Sequence, residues 1–262
     1  MQLFQEMGHL QGIELALSYL GWALHDRGDL ERGAELMGEA LELARDLGDR
    51  VGIMESLGHL GVITYRRGDF ERARRLLEEQ LALARELGSS ADTVFALIQL
   101  GVTARYAGDL AQAQVLLEEG LRLTPQPAPP FYAALVRRYQ ADVLFDQGNI
   151  DGAARIYRES LAVFRDLGAK WDCASCLEAL AAVAGAQRQT GRAVRLWSSA
   201  VAIREAIGAP LPPVDRPRRD TALADLRVAL GTTSFQAVWS EAAALPMEQV
   251  ITDVLEGPGE AR

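Results

Sequence analysis

The stretch GDFERARRLLEEQLALARELG, residues 68–88, contains the signals for the start, the body and the end of one amphipathic helix. Its apolar residues recur every three or four positions, as they do on one face of a helix. Asp69 can cap the helix N-terminus, and the closing Leu-Gly pair is typical of a helix end. Nearly the same line occurs at residues 28–48, as GDLERGAELMGEALELARDLG, and weaker copies begin at Gly108 and Gly148. This 40-residue spacing predicts a repeat protein.

Each copy is predicted to contain two helices joined by the Gly-Asp turn. The glycine can adopt the left-handed conformation that ends the first helix, and the following Asp or Asn can cap the second. In the fifth copy Arg188 stands at the glycine position. Small residues at two further positions allow the paired helices to approach closely. They are Gly21, Gly61, Gly101, Ala141 and Ala181 in the first helices, and Gly33, Ala73, Ala113, Ala153 and Ala193 in the second.

Large apolar residues recur between these small ones. Each contributes about 1.5–3 kcal/mol when a neighbouring repeat covers it. One position holds Leu20, Leu60, Leu100 and Leu180, and another holds Met37, Leu77, Leu117, Tyr157 and Trp197. The pattern predicts an all-α solenoid of about five helix-turn-helix repeats, over residues 9–48, 49–88, 89–128, 129–168 and 169–208. In the fourth copy PQPAPP, residues 125–130, replaces the usual turn, and we expect a local irregularity there.

The pattern resembles the tetratricopeptide repeat (TPR). In the second copy the resemblance is carried by Leu60, Gly61, Gly68, Ala73 and Leu77. The period is 40 residues instead of the usual 34, and the usual Trp at the start and Pro at the end are absent. The longer period, with Leu-Gly-Asp between copies, is similar to repeats of bacterial regulators. The resemblance implies a TPR-like solenoid whose first helices line a concave groove.

The C-terminal segment, residues 209–256, is predicted to cap the array with helices near 214–230, 233–244 and 247–256, followed by a disordered tail at 257–262. Its leucines at helical spacing could cover the last repeat; they are Leu223, Leu226 and Leu230. The stretch RLWSSAVAIREAIGAPLPP, residues 195–213, and the later FQAVW resemble the C-terminus of bacterial signal-transduction ATPases and LuxR-type regulators. In that family N-terminal domains bind nucleotide, and the repeats form a sensor and interaction arm.

The first residues align in register with a later second helix. MQLFQEMGHLQG matches LELARDLGDRVG at 41–52, so residues 1–8 are interpreted as the remnant of a preceding repeat. Two alternatives stay open at this point. The segment could be a short cap on a free-standing protein, or the chain could be the C-terminal portion of a longer one.

Composition limits the classes of function. A net charge of −9 and a pI near 5.0 repel phosphate backbones, so we expect no direct nucleic-acid binding. The sequence contains no apolar run long enough for a membrane span and no recognisable signal peptide, which predicts a cytoplasmic protein that binds no membrane. Cys173 and Cys176 lack the further ligands that a zinc site needs. No phosphate-binding loop, nucleophile elbow or zinc-protease motif occurs, so we expect no enzyme, cofactor or metal.

The remaining candidate is the groove that the resemblance implies. Carried over to this sequence, the groove positions hold several tyrosines and arginines, which are residue types that anchor interfaces. They are Tyr19, Trp22, His25, His59, Tyr65, Arg66, Gln99, Arg105, Tyr106, Arg138, Tyr139 and Asp142. The arginines would favour an acidic peptide or an anionic ligand. Alternatively, these rings only pack between neighbouring first helices.

We therefore predict a non-enzymatic scaffold that binds a peptide or protein partner in its concave groove. The alternative is a ligand-sensing arm of a LuxR-type or signal-transduction ATPase regulator, with a small-molecule effector. The sequence predicts neither the identity of the partner nor the oligomeric state.

Overall fold

The computed structural model describes residues 9–124 and 130–257, and within them it contains helices and no strand. The first helices of the five copies are α1 (Leu10–Asp26), α3 (Arg50–Arg66), α5 (Ser90–Tyr106), α7 (Pro130–Asp146) and α9 (Lys170–Ala186). The second helices are α2 (Leu30–Leu47), α4 (Phe70–Glu86), α6 (Leu110–Leu123), α8 (Ile150–Asp166) and α10 (Thr190–Ile207). A 3₁₀ turn at Pro213–Asp215 precedes α11 (Arg216–Leu230), α12 (Thr232–Ala243) and α13 (Met247–Glu256). The predicted all-α architecture of helix pairs is confirmed.

The described residues fall into two compact units. The first contains the residues before Pro125 together with Pro210–Val214, and the second contains those from Pro130 to Ala209 and from Asp215 onward. In each unit consecutive helices pack against one another. The predicted remnant at 1–8, the turn residues 125–129 and the tail beyond Gly257 lie outside the described residues.

The helix ends form as the repeated Gly-Asp turn predicts. Side chains of Asp29, Asp49, Asp69, Asp109 and Asn149 accept hydrogen bonds from backbone N–H groups in the first turn of the following helix. Gly68 has φ 94°, in the left-handed region that a glycine adopts without steric cost. Arg188, at the same repeat position in the fifth copy, has φ 59°. It is the one non-glycine residue with positive φ in the part of the chain that the structure describes.

Small residues let the two helices of a pair meet closely. A Cβ atom placed on Gly61 of α3 would lie 2.7 Å from Cγ and Cδ2 of Leu77 on α4. In the second helices Ala73, Ala113, Ala153 and Ala193 are fully buried at the equivalent position. The predicted close approach is therefore present, and a larger side chain would overpack it.

The large apolar residues predicted for the core are buried in both units. In the first unit Met37 and Leu77 are fully buried, and Leu60 and Leu100 are 4% and 5% exposed. Leu20 differs, because 44% of it is exposed. The second helix that covers this position in later copies has no counterpart before α1 among the described residues.

The second unit continues its core into the C-terminal helices. Tyr157 of α8 and Trp197 of α10 share one cluster with Leu226 of α11 and Ile251 of α13, and Leu223 and Leu230 pack against it. Ser198 Oγ donates a hydrogen bond to the carbonyl oxygen of Trp239 at 2.7 Å. In this way α11–α13 cover the last repeat.

No helix in the two described ranges combines the length and the apolarity that crossing a bilayer requires.

Candidate functional site

The structure places the predicted groove residues on the first helices of four copies. In the first unit these are Tyr19, Trp22 and His25 on α1, His59, Tyr65 and Arg66 on α3, and Gln99, Arg105 and Tyr106 on α5. In the second unit they are Arg138, Tyr139 and Asp142 on α7. Each unit therefore has its own set of side chains.

An aromatic and cationic cluster joins α1 to α3. The centroid of the Trp22 ring lies 4.4 Å from that of His25 and 4.5 Å from that of His59. Arg66 extends from α3 to α1, where its Nη1 donates to Nε2 of His25 at 2.6 Å. Nδ1 of His25 lies 3.1 Å from Oδ1 of Asp26. Polar and aromatic contacts thus reinforce the packing of these two first helices.

These contacts determine the protonation of the histidines. A guanidinium only donates hydrogen bonds, so Nε2 of His25 accepts from Arg66, and Nδ1–H donates to Asp26. Burial lowers the pKa of His25; the hydrogen bond to Asp26 opposes this shift, and the charge of Arg66 adds to it. Burial, together with the neighbouring His25, lowers the pKa of His59 to about 4. Both imidazoles are therefore neutral at pH 7.

A second group of rings joins α3, α4 and α5. Tyr65 and Tyr106 stack with centroids 6.0 Å apart, and Phe70 stacks on Tyr106 with centroids 6.0 Å apart. The guanidinium carbon of Arg105 lies 5.4 Å from the centroid of the Tyr106 ring. Sequence reasoning did not select Phe70. Its only signal is an aromatic residue directly after the Gly-Asp turn, where three other copies have Leu or Ile.

Exposure divides the predicted groove residues into two classes. Tyr19 is 70% exposed, whereas Tyr65 is 3% exposed. The partly exposed residues are Trp22, His59, Arg66, Arg105 and Tyr106, and the buried ones are His25, Tyr65, Gln99, Arg138, Tyr139 and Asp142. The buried side chains pack between neighbouring helices, as the alternative interpretation of these positions expects.

In the second unit the predicted residues form a buried network between α7 and α8. Tyr157 donates its hydroxyl proton to Oδ1 of Asp142 at 2.7 Å, and Nη1 of Arg138 lies 3.4 Å from Oδ2. The guanidinium carbon of Arg138 is 3.9 Å from the centroid of the Tyr139 ring. Removing one member of such a pair leaves an uncompensated buried charge, so we interpret the network as structural.

A second buried ion pair joins α9 to α10, and sequence reasoning missed it. Nε and Nη2 of Arg204 donate to the two carboxylate oxygens of Glu178 at 2.5 and 2.8 Å. Nη2 also donates to Oγ of Ser175 at 3.0 Å. Burial raises the pKa of Glu178, although the hydrogen bonds from Arg204 and its charge oppose this shift. A signal was present, because Arg204 occupies a repeat position that holds buried apolar residues in other copies; they are Ala44, Ala84 and Phe164.

The cysteines are structural rather than reactive. Both thiols are free and buried. Burial raises the pKa of Cys173 to about 11 and that of Cys176 well above its ordinary value. Because the thiolate is the reactive form, neither thiol is activated at neutral pH. Across residues 9–124 and 130–257, His, Cys, Asp and Glu side chains nowhere form a group of three that could hold a metal ion.

The chemistry of the first-unit cluster is therefore that of non-covalent binding. Ring faces, one neutral imidazole edge and guanidinium N–H groups are available on three successive first helices. Such groups stack on planar or apolar groups and donate hydrogen bonds to carbonyl and carboxylate oxygens.

Comparison with protein families gives two matches. The MalT-like TPR region matches residues 58–205, and the tetratricopeptide repeat matches residues 12–86. No curated protein matches this chain.

Solved structures give the same fold. BtubC (BKLC) from P. vanneervenii is 22% identical, with a TM-score of 0.57, over 87% of this chain and 92% of BtubC. A putative kinesin light chain with TPR-like repeats from Podosopora anserina is 16% identical, with a TM-score of 0.49, over 73% of this chain and 95% of that one. A Signal Transduction ATPase with Numerous Domains (STAND) protein with a tetratricopeptide repeat sensor, from Pyrococcus horikoshii, is 14% identical, with a TM-score of 0.55. That match covers 90% of this chain and 38% of the STAND protein.

The family match extends over more than half of the residues, and it agrees with the helix pairs, the capped Gly-Asp turns and the small residues at the helix contacts. The chain belongs to the family of MalT-like TPR regions.

Proposed function

We propose that this chain is a non-enzymatic scaffold that binds a peptide or protein partner along the first helices α1, α3 and α5. The observation that carries the proposal is the set of partly exposed side chains on these helices. They are Trp22, Arg66, Arg105 and Tyr106. Trp, Tyr and Arg are the residue types enriched at binding hot spots. The TPR family match supports the proposal, because such repeats typically act as interaction scaffolds.

The packing behind these side chains also supports binding. Arg66 is held by its hydrogen bond to His25, and Tyr106 lies in contact with Tyr65 and Phe70. Side chains that are already ordered lose little conformational entropy when a partner binds. The buried residues of the predicted groove therefore act as supports for the accessible ones.

The proposal is tested by selecting peptides from a random displayed library on the immobilised protein and measuring the affinity of the enriched peptides. We expect the double variant Trp22→Ala/Tyr106→Ala to bind them at least roughly tenfold more weakly. Val115→Ala removes an exposed apolar side chain from α6, a second helix, and should leave the affinity unchanged. Enriched peptides that bind the double variant and the native protein equally would contradict the proposal.

A second candidate function is a ligand-sensing regulatory arm of a LuxR-type or STAND regulator. It is supported by the MalT-like family match and by the similarity to the STAND protein, whose repeats are described as a sensor. A thermal-shift screen against small metabolites separates the two candidates. Stabilisation by a metabolite, combined with no enriched peptide, would favour the sensory function over the scaffold.

A further inference from the structure

Neighbouring second helices in the first unit are linked by ion pairs between residues 34 apart. Arg45 of α2 donates to Glu79 of α4 at 3.0 Å, and Arg85 of α4 donates to Glu119 of α6 at 2.8 Å. The spacing reflects the 40-residue repeat, since a side chain on one second helix meets the next second helix slightly earlier in its own copy. In both pairs an arginine faces a glutamate, so the charges balance.

The same spacing in the second unit joins two arginines. Arg158 of α8 and Arg192 of α10 are 34 residues apart, and Arg195 follows one helical turn after Arg192. The orientation of Arg158 toward the following element is supported by Ser198, its equivalent one copy later, which donates to the carbonyl oxygen of Trp239 in α12. Burial lowers the pKa of Arg192, and the like charges of Arg158 and Arg195 add to this shift.

These three arginines, named here the α8–α10 arginine cluster, form no ion pair with any carboxylate in the part of the chain that the structure describes. Nη1 of Arg192 donates only to the amide oxygen of Gln189, at 3.3 Å. The nearby Glu159 is engaged by Arg155 at 2.9 Å. The first turn of α10 contains no acidic residue. Positive charge is thus concentrated and unbalanced here, although the whole chain carries a net charge of −9.

Like charges held together destabilise the folded protein unless a counter-charge is supplied from outside. Arg195 is exposed, and Arg158 and Arg192 are partly exposed, so their guanidinium groups can reach a partner. Guanidinium groups pair with carboxylates through two parallel hydrogen bonds. A nucleic acid fits this surface less well, because its long phosphate backbone would also meet the negative charge of the rest of the protein.

We propose that the α8–α10 arginine cluster is a docking surface for an acidic, Asp- or Glu-rich segment of a partner protein. The cluster lies on second helices, whereas the proposed peptide site lies on first helices, so the two proposals stand independently. The cluster supplies three unpaired guanidinium groups, and the acidic segment supplies the carboxylates that this face lacks.

The experiment measures the fluorescence anisotropy of a labelled peptide of alternating Glu and Gly residues, with a Gln-Gly peptide of equal length for comparison. We expect the Glu peptide to bind at low ionic strength, where surface charges are least screened, and the Gln peptide to remain unbound. The double variant Arg158→Gln/Arg192→Gln should bind the Glu peptide at least roughly tenfold more weakly. The matched control Arg155→Gln/Arg165→Gln removes the same charge from paired arginines of α8 and should change the affinity less than about twofold.

Several results would overturn the proposal. Equal weakening by both double variants would show that only net charge matters, and unchanged binding by the Arg158→Gln/Arg192→Gln variant would place the peptide elsewhere. Binding of inorganic phosphate with no binding of the Glu peptide would indicate a small-anion site instead. The melting temperature gives a further check that needs no ligand. Arg192→Gln should raise it at low ionic strength by relieving repulsion, and a clear fall would show that the guanidinium is already satisfied within the protein.

Discussion

Arg188 is the single position where the repeated turn departs from its pattern. Its φ of 59° places an L-residue in the left-handed region, which costs roughly 1–2 kcal/mol for a side chain with a Cβ atom. We expect Arg188→Gly to raise the free energy of unfolding by about 0.5–1 kcal/mol, because part of the gain is lost to the greater freedom of glycine in the unfolded chain. Chemical denaturation at constant pH measures this change.

The reverse substitution provides the control. Gly68 occupies the same position in the second copy at φ 94°, and a Cβ atom there would meet nothing within 4 Å. Gly68→Ala should therefore destabilise through backbone strain alone, by about 1 kcal/mol. If Arg188→Gly lowers stability, the arginine side chain must contribute more than its strain costs.

His59 makes stability depend on pH. Its pKa is about 4 in the folded protein, whereas an unperturbed histidine has a pKa of about 6.5. The unfolded chain binds the proton more tightly, so the contribution is fully present above pH 6.5 and is lost as the pH falls from about 6.5 toward about 4. The lowered pKa of His25 acts in the same direction. We expect His59 to account for roughly 3 kcal/mol of unfolding free energy across this window.

Urea denaturation at several pH values in this window tests the prediction. His59→Gln should show a smaller loss of stability on acidification than the native protein. His9→Gln should keep the native pH dependence, because His9 is exposed before the first turn of α1. Glu14 and Glu55, whose pKa values burial raises, oppose the histidines in all three proteins, so their effect cancels in the comparison. Equal pH dependence in the native protein and His59→Gln would contradict the prediction.

Sequence predicts the caps and turns at this scale, but it does not predict which side chains are accessible. Asp29 and Asp69 cap because the backbone N–H groups that they accept from are local. The burial of Tyr65 depends on its stacking against Tyr106, two helices later, and so on a choice of rotamers that no repeat pattern encodes. The contact of Arg66 with His25 has the same origin.

The close contact of α3 with α4 sets the limit on helix-pair packing. A Cβ atom on Gly61 would lie 2.7 Å from Cγ of Leu77, which is not a freely moving chain end. We expect Gly61→Ala to lower the free energy of unfolding by about 1–3 kcal/mol, because overpacking forces the helices apart. Thermal unfolding followed by circular dichroism measures the change.

Gly38 in α2 is the matched control, since a Cβ atom there would meet nothing within 4 Å. Gly38→Ala should stabilise by about 0.5–1 kcal/mol through helix propensity alone. Were Gly61→Ala to stabilise by a similar amount, the close contact would not constrain the pair.

At the scale of elements, the 40-residue spacing predicts where each helix begins and ends, because the signals are local and recur. The three C-terminal helices were also predicted, from leucine spacing and turn residues, and they lie close to the expected spans. The α9–α10 ion pair was not, because Arg204 replaces buried apolar residues at a core position, and its partner Glu178 comes from a different helix.

The two compact units have separate cores, and this determines how damage spreads through the molecule. Ile251 of α13 is fully buried in the second unit, and Met37 of α2 is fully buried in the first. In repeat proteins each element is stabilised by its neighbours, so loss of packing acts locally. Truncation of either side chain to Ala should cost about 2–5 kcal/mol in its own unit.

Hydrogen exchange followed by mass spectrometry resolves where that loss falls. In Ile251→Ala we expect the protection of α8, α10 and α13 to drop by roughly a hundredfold, which corresponds to about 3 kcal/mol, while α2 and α3 keep native protection. In Met37→Ala the pattern should be reversed. The pair of variants controls for differences in intrinsic exchange, because each unit serves as the reference for the other. Uniform loss of protection along the whole chain in either variant would show that the units unfold as one cooperative body and would contradict the local transmission expected of a repeat array.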